Sequence, residues 1–248
     1  MSEEHVFAPL VERWTQRFQL DDADCAAIRS LPHSERLLER DSYVVREGEA
    51  SNNCCLLLSG FAYRHKLVRA GARQILSLHV SGEFVDLQNC LLGTADHNVQ
   101  TLSRATVAFV PQAALLALAA ARPAVGRAMW HDTMIDSSIF REWVVNVGRR
   151  DSVTRIAHLL CEIAVRLGAA GLAQDQSFIL PLTQEQLADA TGLTSVHTNR
   201  VLQALRRDGL ISLSTRSLKV LDWHRLRELG DFNARYLHLE TPRELSPA

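Results

Sequence analysis

The segment "LPLTQEQLADATGLTSVHTNRVLQALRRDGLIS", Leu180 to Ser212, concentrates side chains that hydrogen-bond to nucleobases. Between Thr194 and Lys219 the chain carries five basic residues (Arg200, Arg206, Arg207, Arg216 and Lys219) against one acid, Asp208. Laid on a wheel at about 100° per residue, Thr198, Val201, Leu202 and Leu205 share one side, with Val196, Asn199, Arg200, Gln203 and Arg207 roughly opposite. Arginine pairs with the guanine edge through two bonds, asparagine and glutamine with adenine, and a valine packs on a thymine methyl. Ser195, Val196, Asn199, Arg200 and Gln203 are therefore the expected base readers. Thr183, Thr194 and His197, near helix starts, Arg207 at the end of the second helix and Arg216 on the following hairpin suit phosphate contacts that fix register.

These residues need a frame that holds one helix outward. Thr183 followed by Gln186 is a capping box that starts a helix. Gly192 permits a sharp turn, Thr194 caps a second helix, and Asp208-Gly209 stops it. "LISL", "STRS" and "LKVL" then read as a hairpin. Two short helices and a hairpin form a winged helix-turn-helix.

Upstream the pattern changes twice. From about residue 40 to 111, the runs "YVVREGEA", "CCLLLSGFAYRHKLV", "RQILSLHVSGEFV" and "ATVAFVP" are punctuated by Gly48, Gly60, Gly71, Gly82 and Gly93, which indicates a β-roll. Residues 1–35 read as a helical lead-in. After Pro111 strand signals stop, and a helix is expected from Pro123 to about Val147. Its apolar residues cover more than one face, so it needs partners on two sides, most simply its own β-domain and a second copy of itself. Ile135, Ile139, Phe140 and Trp143 are the expected dimer contacts. Gly148 and "RRDS" mark a joint, and an amphipathic helix follows to Gly168. Then come a loop, the short strand "SFIL", the winged motif, a last helix capped by Asp222 and a frayed tail, "TPRELSPA". The fold class is α+β. Its divisions are 1–112 (N-terminal helices and β-roll), 113–148 (dimerisation helix) and 149–248 (winged helix with a C-terminal extension).

Composition narrows the alternatives. The 248 residues are 47% apolar and 22% charged with a net charge of −1, ordinary globular material with a locally basic patch. No apolar run of about 18 residues suggests a membrane helix. The start "MSEEHVFAPLVERW" lacks an apolar signal core, so a cytoplasmic location is expected. The five cysteines (Cys25, Cys54, Cys55, Cys90 and Cys161) form no C-x-x-C and read as reduced, packed thiols. No metal or other cofactor is expected. His65, His79, His97 and His131 have no ligand-like spacing, and the pair His79/Glu83 lacks the second histidine of a cupin metal site, since Ser77 stands there. Without a nucleophile elbow or phosphate loop, an enzyme is not expected.

The order β-roll, long helix, winged helix resembles the Crp/Fnr family of bacterial transcription regulators. The pieces that carry the resemblance are "REGE", "LLSGFA", "SGEF", "FREWVVNVGRRDSVTRIAHLLCE" and "LTQEQLADATGLTSVHTNRVLQALRRDGLI". It implies a homodimer on a two-fold symmetric operator in double-stranded DNA, action through RNA polymerase, and a signal received at the β-roll. Gly82, Glu83, Asp96 and His97 are the candidate effector pocket. Cyclic-nucleotide-binding members pair a glycine-glutamate segment with a downstream Arg-Ser or Arg-Thr. Here Gly82-Glu83 is present, but Asp96-His97 stands in place of the pair, and a carboxylate repels phosphate. The effector, if there is one, is thus an unidentified small molecule. Iron–sulfur members carry an N-terminal cysteine cluster, whereas only Cys25 precedes Cys54 here. Family members reading the common operator have glutamate where Val196 stands and an arginine matching Arg200, so a different half-site is expected.

Overall fold

A computed structural model of the chain describes residues 5–239. The tail "TPRELSPA" lies outside them. Two compact units result: one holds residues 5–64, 78–137 and 238–239, the other His65–Ser77 and Ser138–Leu237.

The first unit opens with helices α1 (Ala8–Thr15) and α2 (Asp22–Arg29). Strands β1 (Ser34–Leu38), β2 (Tyr43–Val45), β3 (Asn53–Ser59), β4 (Ala62–Leu67) and β5 (Arg73–His79) follow in the chain, with His65–Ser77 of β4 and β5 counted in the second unit. After them come a short helix α3 (Asn89–Leu92), strands β6 (Asn98–Thr101) and β7 (Ala105–Pro111), and helix α4 (Gln112–Ala121). The strands form two sheets, in the orders β1-β7-β3 and β2-β6-β4-β5. The five regularly spaced glycines all sit at positive φ between elements.

Strand β3 is buried on both faces, which is why it reads as an unbroken apolar run rather than an alternating one. Cys55 and Leu57 face the roll interior with Val45, Ala62, Val99 and Val107. Cys54 and Leu56 face a second core formed with Leu10 and Trp14 of α1, Ile28 of α2 and Leu115 of α4. Two strands carry little apolar signal. β1 is almost wholly exposed. In β6, buried Gln100 and Thr101 are satisfied by hydrogen bonds instead: Tyr63 Oη donates to Gln100 Oε1 at 2.8 Å, and Thr101 Oγ1 donates to Glu39 O at 2.7 Å. A fully buried carboxyl, Asp86, accepts from the Cys55 N–H at 2.7 Å. Burial pushes its pKa up to about 7, against the opposing pull of that hydrogen bond and of Arg64.

Helix α5 (Pro123–Arg149) runs through Gly148 without a break, so the joint falls at Arg150-Asp151. Its buried positions Val125, Ala128, Met129, Asp132, Ile135, Ile139, Trp143 and Asn146 recur at helical spacing. Its exposed apolar residues are Trp130 (70%), Met134, Phe140, Val144 and Val145. This corrects the expected dimer contacts: Ile135, Ile139 and Trp143 pack within the chain, and of the four only Phe140 is exposed. The outward stripe is Trp130, Met134 and Val144, flanked by Phe140 and Val145.

In the second unit Asp151 caps α6 (Ser152–Ala169), accepting from the N–H groups of Val153 and Thr154 at 2.9 and 3.0 Å. The expected strand "SFIL" is β9 (Ser177–Ile179), and part of the expected loop before it is a second strand, β8 (Ala173–Gln174), so the two form a hairpin turned at positive φ by Asp175 and Gln176. Helices α7 (Gln184–Thr191) and α8 (Ser195–Arg207), strands β10 (Ile211–Ser214) and β11 (Ser217–Val220), helix α9 (Trp223–Leu229) and a 3-10 turn (Ala234–Leu237) complete it. The four strands make one sheet in the order β10-β11-β9-β8. A buried carboxylate, Glu162 on α6, accepts from Trp143 Nε1 at 3.0 Å, Arg166 Nη1 at 3.2 Å and Tyr236 Oη at 2.9 Å.

Candidate nucleic-acid interface

The capping box that starts α7 is closed on both sides. Gln186 N–H donates to Thr183 Oγ1 at 3.2 Å, and Thr183 N–H to Gln186 Oε1 at 2.9 Å. The turn residue Gly192 is left-handed (φ 66°, ψ 35°), a conformation that costs other residues energy. Arg155 of α6 holds the turn from behind, its Nη1 donating to Thr191 O at 3.0 Å. Thr194 then caps α8 by accepting from His197 N–H at 3.2 Å.

Helix α8 buries Thr198, Val201, Leu202 and Leu205. That anchors its rotation, and the opposite face goes to solvent. Val196 is 64% exposed, as its wheel position about 160° from Thr198 requires. Ser195, Arg200, Gln203, Arg206 and Arg207 are exposed beside it, while Asn199 is half-buried. An apolar side chain thus stands in a field of exposed hydrogen-bonding and cationic groups, at the outward end of a helix. The wing adds Arg216 at its tip and Lys219, both exposed.

Two expected phosphate contacts, Thr183 and Thr194, use their hydroxyl oxygens as acceptors in caps, which leaves each O–H free to donate outward. His197 is placed differently from expectation: its Nε2 lies 2.7 Å from Ser152 Oγ, at the start of α6. Neither Ser152 nor Arg155 is suggested by the motif itself, because both sit on α6, far away in sequence.

The second candidate group lies in the β-roll, where Gly82, Glu83 and His97 are buried and Asp96 is exposed. Gly82 is buried, and a Cβ there would lie 2.7 Å from Pro9 O, so glycine is needed for α1 to approach. Glu83 is buried, with Arg13 Nη2 at 3.8 Å and His79 Nδ1 at 3.5 Å. Asp96 does not face an interior phosphate site. Its side chain is 76% exposed and holds the buried His97 through Nδ1 at 2.6 Å. Besides Arg13 the region holds Arg64, which sequence reading misses. Its Nη1 is 2.7 Å from Asp136 Oδ2, and its Nη2 donates to Val85 O at 2.9 Å. Burial lowers the pKa of both His79 and His97, with Arg64 adding to the effect, so both rings are neutral at pH 7. Burial raises that of Asp136, but the charge and hydrogen bond of Arg64 act against it and the net shift is downward. Arg64 is thus paired with Asp136, and Glu83 lies beside Arg13. Among the described residues, no group of three or more His, Cys, Asp or Glu side chains is arranged to hold a metal ion.

Fold and face together define a winged helix-turn-helix DNA-binding protein with a β-roll. Residues 154–229 match the Crp-like helix-turn-helix domain, and residues 35–122 match the cyclic nucleotide-binding domain. The chain is 28% identical over 216 residues to the transcriptional activator protein FnrL of Cereibacter sphaeroides, covering 85% of this chain and 86% of that protein. It is 25% identical over 194 residues to the nitrogen fixation regulation protein FixK of Azorhizobium caulinodans, covering 77% and 76%. Its fold matches that of FixK2 from Bradyrhizobium japonicum with a TM-score of 0.74 at 23% identity, over 80% of this chain and 98% of that one. The chain belongs to the Crp/Fnr family.

Proposed function

We propose that this protein is a homodimeric, sequence-specific transcription regulator that reads a two-fold symmetric operator with α8. The observation that carries this is the exposed face of α8, where Val196 stands at 64% exposure beside Arg200 and Gln203. A valine so placed gains nothing from water but packs well on a thymine methyl, while Arg200 one turn along reaches a guanine edge. Ser195, Asn199 and Gln203 complete the reading face. Thr183, Thr194, Arg207 and Arg216 set register on phosphates, and His197 joins them if it leaves Ser152. The regulator acts in the cytoplasm through RNA polymerase, a reading supported by relatives whose names are those of transcriptional activators. No described helix is long and apolar enough to cross a membrane.

Selection of bound sites from random DNA tests this. Two half-sites about 10–10.5 bp apart, centre to centre, are expected; a site without two-fold symmetry counts against the dimeric reading. Arg200→Ala should weaken the best site by about 1–3 kcal/mol and relax preference at one base pair. Val196→Glu should shift preference toward a cytosine-bearing pair, since carboxylate accepts from the cytosine amino group. Its melting point should stay near that of the parent, because exposed substitutions usually stay within about 0.5 kcal/mol. Unchanged specificity in Val196→Glu would sink the assignment of this helix face.

The β-roll serves as a sensor whose effector is not a cyclic nucleotide. Arg64, its interior cation, is already paired with Asp136, and Glu83 is already held by Arg13 and His79. A cyclic phosphate would have to displace a carboxylate from Arg64 and desolvate beside the acids that remain. Calorimetry with cyclic AMP and cyclic GMP is therefore expected to show no micromolar binding; a micromolar Kd for either overturns this reading.

A further inference from the structure

We propose that Cys54 and Cys90 form a modification site, a thiol pair that a peroxide converts into an intramolecular disulfide joining β3 to α3. Their Sγ atoms lie 3.1 Å apart. A disulfide bond is about 2.05 Å long, so closure needs an approach of about 1 Å. The neighbouring Cys55 is no competitor. Successive residues of a strand point to opposite faces, and Cys54 lies in the helix-side core while Cys55 lies in the roll interior.

The two thiols differ in access. Cys54, Cys55, Cys25 and Cys161 are buried, whereas Cys90 is half-buried. Cys90 sits on α3, whose next two residues, Leu91 and Leu92, are 83% and 66% exposed. That short surface helix gives a small oxidant a path to Cys90 and can shift toward β3. The hydrogen bond between the sulfurs lowers the Cys90 thiol pKa, and the same contact, with burial and Asp86, raises that of Cys54. Burial also pushes Cys161 up to about 12. The thiolate is the reactive form, so Cys90 is the attacking group and Cys54 the resolving one.

The chemistry balances with a peroxide as oxidant. The Cys90 thiolate attacks one peroxide oxygen, the O–O bond breaks, and the departing oxygen takes up a proton as water or an alcohol. Cys90 is then a sulfenic acid. Cys54 sulfur attacks the Cys90 sulfur, the S–O bond breaks, and the leaving hydroxide carries off the Cys54 proton as water. Two thiols are oxidised, one peroxide is reduced, and a thiol reductant reverses the change.

The test uses the full chain treated with hydrogen peroxide, digested without reduction and mapped by mass spectrometry. The expected result is a Cys54–Cys90 linked peptide and loss of two of the five free thiols, restored by dithiothreitol. In Cys90→Ser, the linked peptide and the loss of the Cys54 thiol should both vanish. Should Cys54→Ala fail to fold, mapping of the unmodified protein decides alone; if it folds, dimedone should trap a sulfenic acid at Cys90. No reaction at tenfold peroxide excess overturns the proposal. So does a Cys54–Cys55 or interchain link, or Cys90 overoxidised while Cys54 stays free.

Discussion

Replacing Met134 and Val144 together by aspartate is expected to leave a folded monomer whose affinity for a two-half-site operator falls by about 10²–10⁴-fold, the advantage of joined half-sites. Both residues lie on the outward stripe of α5, at 49% and 53% exposure, with the 70%-exposed Trp130 in line with them. Isolated exposed apolar residues are unremarkable on a protein surface, but an aligned stripe on one long helix is the face on which the proposed dimer would close. A carboxylate on it is harmless in a monomer and costly when a partner excludes water. Ile139 supplies the contrast. It is 8% exposed, within the chain's own core, so Ile139→Ala should cost about 2–5 kcal/mol of folding stability and leave association intact. Light scattering at micromolar concentration, paired with melting curves, separates the two. A dimeric Met134→Asp/Val144→Asp protein, or a monomeric unmodified one, would overturn this face assignment.

Asp86→Asn is expected to remove a pH dependence of stability. The folded pKa of Asp86 is about 7, because burial disfavours its charged form, while an unfolded aspartate titrates near 3.9. Between those values the folded protein holds a proton that the unfolded chain has released. The contribution of Asp86 is therefore most favourable below pH 4 and declines as pH rises to about 7, then stays flat. The full span is about 4 kcal/mol as an upper bound. Asparagine keeps the oxygen that accepts from the Cys55 N–H at 2.7 Å but cannot ionise. The variant should therefore gain stability over the parent as pH rises from 5 to 8. Parallel denaturation curves across that range are the measurement, and a constant difference between the two proteins would refute the shifted pKa.

Legibility in the sequence followed locality. The capping box at Thr183, the Gly192 turn and the outward position of Val196 depend on residues within one or two helical turns, and wheel arithmetic recovers them. The long helix was visible too, but not which of its apolar sides belongs to the chain itself, because a widely apolar helix offers several stripes of equal strength. For that reason the sequence offers Ile135, Ile139 and Trp143 as dimer contacts. Strand β6, "NVQT", and the exposed β1 were missed because side-chain hydrogen bonds or edge exposure replace the apolar alternation that announces a strand. Arg64 with Asp136 and Cys54 with Cys90 are partners only through the folded roll, and no spacing rule connects them.

The carboxylate of Glu162 has a consequence for anyone recombining such proteins. It receives Trp143 from the end of the long helix and Tyr236 from the last described turn. The DNA-binding unit is thereby fastened at its beginning and its end to one atom pair. The matched helix-turn-helix region stops at residue 229, before Tyr236. A chimera spliced at that boundary would import the reading helix and the wing but leave the clasp behind, stranding a buried anion with one donor fewer. The transferable cassette extends to Leu237, and grafts cut there should carry their own closure with them.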